Sequence, residues 1–299
     1  MVKVKVKVPA TTANMGPGFD ALGMAVSIYN YIEIEETEGR VVTLVENEPL
    51  DLTDDENLIY RALVRVYEKV NVKHKGFNIH VYKCDVPMSR GLGSSATCIV
   101  GGILAGNKLT GDKLTVEEML EIANDMEGHP DNVAPALLGG MVSSVQEDGK
   151  VYYSKVSFPE NLLCAVMIPD FKVSTSEARG VLPTSYSREE CVYNISRVAL
   201  FVTALANGET DNLRHIVKDK IHEPYRGTLI YGYNEIFNAS KEAGGLCEFI
   251  SGSGSTLLAL VDRNNTEYLE KMREYLDTLN NKWTIDLVEY SKIGGEVIS

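Results

Sequence analysis

Cysteine and positive charge are scarce in this chain, and long apolar runs are missing. Its five cysteines, Cys84, Cys98, Cys164, Cys191 and Cys247, are odd in number and form no CxxC or Cys/His spacing, which argues against a disulfide framework and a zinc site. Most sit in apolar stretches, where buried structural thiols are expected. The longest run of apolar residues and glycine is nine, residues 98–106, far short of a bilayer span. The start, MVKVKVKVP, alternates Val with Lys as a half-buried strand does and lacks the apolar core of a leader, so the expected location is the cytoplasm. Lys and Arg number 29 against 42 Asp and Glu, a net charge of −13. That balance disfavours nucleic acid and anionic membrane as partners, although a helix terminus or two arginines can still hold a small anion in a cleft. No internal repeat or low-complexity tract is present. The GxxxxGK[ST] pattern is absent, as is a GxGxxG after the first strand.

What is present is ordinary globular composition over 299 residues, 44% of them hydrophobic, enough for one large or two moderate domains. Strand patterns recur at 2–8, 24–36, 41–46 and 77–82, a helical pattern covers 57–70, and a second covers 116–127. In the latter, Val116, Met119, Leu120, Ala123 and Met126 share a face and the charges lie opposite. Between these helices PMSRGLGSSATCIVGG passes from strand through a glycine turn into a small-residue helix. GHPDNVAPALLGG then reads as a loop, and MVSSV as a strand. Beyond a strand at 161–169 the pattern turns mainly helical, at 188–207, 211–218, 228–243 and 266–279, with strands at 246–251, 256–261 and 282–290. The expectation is a β-rich domain, residues 1–160, and an α+β domain, residues 161–299, the latter a sheet with helices on one face.

A polyphosphate needs converging N–H donors, no side chain in the way and a positive helix end. Gly91, Leu92, Gly93, Ser94 and Ser95 meet that description. Gly91 and Gly93 allow positive φ and close approach, and Ser94 or Ser95 could cap the helix or offer a hydroxyl to magnesium. Mg2+ also wants a carboxylate. A serine-capped turn with no ligand explains a bare GxGSS equally well.

The longer string decides. PMSRGLGSSA, residues 87–96, resembles the phosphate loop of the GHMP kinases. PATTANMGPGFDALG (9–23) resembles the N-terminal substrate motif of the homoserine kinases within that superfamily, GHPDNVAPALLGG (128–140) their central motif, and SGSGST (251–256) the third, C-terminal glycine motif. The resemblance spans essentially the whole chain. It implies a two-domain α+β fold, with an N-terminal domain like the second domain of ribosomal protein S5 and a ferredoxin-like C-terminal domain. It also implies ATP with Mg2+, a homoserine substrate, a place in threonine biosynthesis, feedback by L-threonine, and a homodimer.

Carried onto these residues, the resemblance places ATP along Pro87, Met88, Ser89, Arg90, Gly91, Leu92, Gly93, Ser94, Ser95, Ala96 and Thr97, with Asn57 on the adenine side. It gives the metal to Ser95 and Glu121. Asp20 takes the substrate's amino group with help from Asn14, and Arg179 and Arg226 clamp its carboxylate. His129, Asp131 and Gly254 make further substrate contacts. Asn132 stands where relatives have a basic aspartate, which implies catalysis without a side-chain general base. Residue chemistry alone allows blander roles: an Asx turn for Asp20, surface arginines for Arg179 and Arg226, a helix cap for Asn57, a solvated glutamate for Glu121. Two rival functions stand beside this one, a GHMP kinase for another small alcohol and a ligand sensor without turnover.

Overall fold

The computed structural model describes residues 3–39, 41–74 and 76–298. Val2, where the first strand is expected to begin, lies outside them. The chain opens with β1 (Lys3–Ala13), β2 (Leu22–Thr37), β3 (Val42–Val45), β4 (Glu48–Pro49), α1 (Leu58–Lys69), β5 (Gly76–Cys84) and α2 (Ser94–Leu109). Next come α3 (Val116–Glu127), α4 (Pro130–Leu138), β6 (Met141–Glu147), β7 (Lys150–Val156), β8 (Leu162–Pro169), α5 (Thr175–Gly180), α6 (Arg188–Asn207) and α7 (Leu213–Ile216). The rest is α8 (Glu223–Arg226), α9 (Tyr233–Ala243), β9 (Cys247–Ile250), β10 (Leu257–Asp262), α10 (Tyr268–Leu276), β11 (Trp283–Val288) and β12 (Glu296–Val297). No helix among the described residues is long and apolar enough to cross a membrane.

The opening alternation obeys the period of a strand. Val4, Val6 and Val8 are buried in the first core, while Lys3 and Lys5 face outward and pair with Glu33 of the neighbouring β2 at 3.0 and 3.6 Å. Exposed pairs of this kind add little, and the buried valines do the holding, at roughly 25 cal/mol per Å² of apolar surface. β1, β2 and β5 run antiparallel, β3 joins β5 in parallel, and β6 links β2 to β7. Leu63, Ile99, Ile103, Leu120 and Val133, from α1 to α4, pack on the inner face against Ile32, Ile34, Phe77 and Ile79.

The second sheet has the order β11-β8-β10-β9, all antiparallel. With its helices it forms the β-α-β-β-α-β arrangement of ferredoxin-like domains. The expectation of helices on one face is corrected here. Along β8, Ala165 and Met167 meet α9 and α10, while Cys164 and Val166 meet Phe201 and Leu205 of α6, Leu213 of α7, and Met15, Leu22 and Met24 of the first domain. An unbroken apolar strand needs cover on both sides.

The sheets change between β7 and β8, near residue 160. The chain then returns: Tyr290 bridges Val26, and β12 pairs with β1, Val297 opposite Val6. We therefore propose a boundary near 160, with the C-terminal segment after β11 assigned to the first domain rather than the second. GHPDNVAPALLGG is also corrected, from loop to the helix α4. Pro130 sits at its first position, where a missing N–H costs nothing, and Val133, Ala134, Ala136 and Leu137 are buried. Packing overrides the glycines and prolines that read as a loop.

Candidate functional site

A cleft of about 580 Å³ runs between the two domains. At its centre, Gly91 and Gly93 adopt φ of +77° and +66°. A β-carbon on Gly91 would stand 2.1 Å from the Ser251 carbonyl oxygen, and one on Gly93 would stand 2.0 Å from Thr11 Oγ1. Glycine is required at both. The turn delivers the chain into α2, whose N-cap is Gly93 and which has no side-chain cap. Neither serine closes off the first-turn N–H groups, which stay available to an anion at the positive end of a 16-residue helix.

Of the stretch assigned to ATP, Met88, Ser89, Gly91, Gly93, Ser94 and Ser95 line the cleft. Pro87, Arg90, Leu92, Ala96 and Thr97 stand behind this lining. Leu92 and Ala96 are core residues. Thr97 Oγ1 accepts from Asn30 and donates to the Ser94 carbonyl. Arg90 donates to the Pro169 and Asp170 carbonyls, tying the turn to the second domain at 2.8 and 3.0 Å. At the far end Asn57 shares the wall with Thr43, Val45, Leu50, Leu52, Cys84 and Cys98. Its amide is spoken for, capping α1 through the Tyr60 N–H and donating to Thr43 Oγ1.

The acidic partner of Ser95 is Glu127. Ser95 Oγ donates to Glu127 Oε2 at 2.7 Å, and Glu127 lines the cleft whereas Glu121 does not. We propose Glu127 in place of the expected ligand Glu121. Helical period gives the reason: Glu127 lies one heptad beyond Leu120 and continues the buried stripe, while Glu121 is turned away by about 120°. Burial pushes the Glu127 carboxyl above its ordinary value, opposed by the Ser95 hydrogen bond. A half-buried carboxylate and a hydroxyl beside a phosphate cradle are the oxygen set that Mg2+ takes, so the residues fit that ion.

The other end carries charges of both signs. Arg179 forks onto Asp20, with Nη1–Oδ2 at 3.3 Å and Nη2–Oδ1 at 3.1 Å. Arg226 is 2% exposed; its Nε donates to the Ala178 carbonyl and its Nη1 to that of Gly252. Both guanidinium groups lie over the Phe19 ring, at 5.9 and 5.0 Å. Burial first, then the neighbouring Arg179, lowers the pKa of Arg226 from its ordinary value. Ligand atoms of Asp20, His129 and Asp131 gather within 4.8 Å of one another. His129 Nδ1–H donates to Asp131 at 2.7 Å, which raises the pKa of the imidazole against the effect of burial. Two cations beside two carboxylates suit a zwitterion.

Asn14, at φ +68°, donates to the Gly252 carbonyl and accepts from the Asp20 N–H. It braces the loop that carries Asp20. Gly254 stands behind the lining: the cleft is lined by Gly252 and Ser253, and a β-carbon on Gly254 would meet Ile230. Asn132 lines the cleft, its Oδ1 accepting from Thr11 Oγ1 at 2.8 Å. The sequence reading missed Glu127, Thr175 and Gly252, which line the cleft, and Thr11, which donates to Asn132. For Glu127 a signal existed, an ionisable residue on an apolar stripe.

Behind Arg226 lies a buried polar turn. Asp219 Oδ2 accepts from the N–H groups of Ile221, His222 and Glu223 at 2.6–3.0 Å, starting the short helix α8 that ends in Arg226. His222 stacks on Phe19 and donates Nε2–H to the Gly16 carbonyl. Glu223 accepts from the Ile250 N–H at 2.7 Å, and burial, then Asp219, pushes its carboxyl from 4.5 up to about 8. Between those values the native chain holds a proton that the unfolded chain releases, so this stabilising contribution is complete below about pH 4.5 and gone by about pH 8. Melting temperature should fall across that window, and Glu223→Gln, which still accepts from Ile250, should flatten the fall in calorimetry. Equal slopes would refute the assignment.

Comparison with known proteins agrees with this geometry. Residues 57–140 match the family model described as GHMP kinases N terminal domain, and residues 201–278 that of the GHMP kinases C terminal. The chain is 52% identical over 295 residues to a homoserine kinase of Clostridium novyi, covering 99% of each. It is 50% identical over 295 residues to that of Clostridium acetobutylicum, covering 99% of this chain and 100% of the other. The crystal structure of homoserine kinase from Cytophaga hutchinsonii superposes with a TM-score of 0.90 at 30% identity, covering 99% and 97%. With the uncapped start of α2 and the paired charges in one cleft, and relatives matched from end to end, the chain belongs to the GHMP kinases and, within them, to the homoserine kinases.

Proposed function

We propose that this chain transfers the γ-phosphoryl group of ATP to the hydroxyl of L-homoserine, giving O-phospho-L-homoserine and ADP. The observation that carries the reading is the single cleft joining the uncapped start of α2 to the paired charges of Asp20, Arg179, Asp131 and Arg226. In this reading the turn from Gly91 to Ser95 binds the triphosphate, and the wall from Asn57 to Cys98 takes the adenine. Ser95 and Glu127 would hold Mg2+, which supplies positive charge to phosphoryl oxygens. The substrate's ammonium displaces Arg179 from part of Asp20, and its carboxylate lies between Arg179 and Arg226. The zwitterion thus replaces an internal ion pair, which selects against alcohols lacking either charge.

An amide is no base, and Asn132 stands at the acceptor end. A loose phosphoryl-transfer transition state leans on alignment and charge rather than on a side-chain base, and the hydroxyl proton leaves to a phosphate oxygen or to water as the O–P bond forms and the bond to ADP breaks. Asn132→Ala should lower kcat by about 10² through lost alignment, with ATP affinity little changed; unaltered turnover would remove Asn132 from the mechanism. L-Threonine, with the same zwitterion and a hydroxyl, is the proposed feedback ligand. A homodimer belongs to the same reading, supported by Val192, Ile195 and Leu200, which stand exposed along α6.

The test is ADP release by purified protein with MgATP and a panel of alcohols. Release with homoserine supports the reading. Release with only mevalonate or a sugar, or binding without turnover, overturns it.

A further inference from the structure

We propose that Thr11 is a positioning residue for phosphoryl transfer, its hydroxyl locking the Asn132 amide so that the NH2 group, and not the oxygen, faces the acceptor alcohol. The inference rests on the role given to Asn132 above. Thr11 is fully buried near the end of β1, and its own N–H donates to the Leu92 carbonyl inside the phosphate turn at 3.1 Å. Its Oγ1 donates to Asn132 Oδ1 at 2.8 Å. On the opposite side Asn132 Nδ2 lies 3.4 Å from Asp131 Oδ1, the same oxygen that accepts from His129.

An ionised carboxylate only accepts. Turning the amide over would set oxygen against oxygen at Asp131, so the carboxylate chooses the orientation and the threonine hydroxyl holds the Oδ1 end in place. The remaining Nδ2–H is then the donor that Asn132 can offer the substrate. Donated to the alcohol oxygen, it engages one lone pair and leaves the other free for the γ-phosphorus. The same threonine touches the phosphate turn, because a β-carbon on Gly93 would stand 2.0 Å from Thr11 Oγ1 and 3.1 Å from Asn132 Oδ1. One hydroxyl therefore registers the acceptor amide against the nucleotide cradle.

Thr11→Val keeps the shape and removes the donor. It should lower kcat for homoserine about tenfold or more, with KM for homoserine and ATP within about twofold, and Thr11→Ser should restore turnover. In an Asn132→Ala background Thr11→Val should change kcat by less than about twofold, since the two act as one unit. Wild-type kcat in Thr11→Val, or an equal loss with and without Asn132, overturns the proposal while leaving Asn132 in place. Unaltered turnover in Asn132→Ala instead removes Asn132, and the proposal with it. If Thr11→Val does not fold, Thr11→Ala carries the same comparison. The side-chain NH2 resonances of Asn132 should shift in the wild type when homoserine joins a non-hydrolysable nucleotide and shift less in the threonine variant, and equal shifts in both overturn the proposal.

Discussion

Glu127→Gln should cut turnover by about two orders of magnitude, and Glu121→Gln should leave it within about twofold. The first change keeps the shape and the hydrogen bond from Ser95 Oγ but removes the only charge that the pair offers to a cation. Loss of a mere outer-shell partner already costs about 10–100-fold in metal affinity, and a carboxylate in direct contact should cost no less. The Mg2+ concentration needed for half-maximal rate should rise, and nucleotide affinity measured by calorimetry should lose its Mg2+ dependence. Glu121 lies outside the cleft, where substitutions change little. The reverse ranking would restore Glu121 and undo the assignment of Glu127.

That pair shows what the sequence could carry. Helix α3 was legible to the residue, from 116 to 127, because a capping box at Thr115 and Glu118 and the glycine at 128 mark both ends. Which of its acids meets Ser95 depends on α3 crossing α2, and the sequence holds only a hint of it, the place of Glu127 on the apolar stripe. The same holds at α4, where local signals favour a loop and burial of four apolar side chains favours a helix. Glycines of the phosphate turn were readable because their reason is local, a positive φ. Thr11, Asp219 and the bracing contact of Asn14 were not, because each works through a partner more than a hundred residues away or through backbone groups that no pattern reveals: Asn14 to Gly252, Thr11 to Asn132. Aromatic stacking of Phe19 on His222 is equally silent in one dimension.

Arg226→Lys should raise KM for homoserine by about thirtyfold to a hundredfold while kcat changes only a few-fold and KM for ATP stays put. The guanidinium already spends Nε on the Ala178 carbonyl and Nη1 on the Gly252 carbonyl, and its planar fork still has N–H groups to present to a carboxylate. A lysine ammonium is a point charge on a flexible stem. It cannot satisfy two fixed carbonyls and a bidentate anion together, and the deficit of one or two charged hydrogen bonds, each about 1.5–3 kcal/mol, falls on the substrate. The carboxylate is remote from the reacting oxygen, so its grip is the same in ground and transition states, and the loss appears in KM. Arg179→Lys should show a smaller rise, because that side chain is 41% exposed and already shares its charge with Asp20. Steady-state kinetics on both variants separates the cases. A fall confined to kcat at Arg226 would place it at the phosphoryl group instead of the carboxylate.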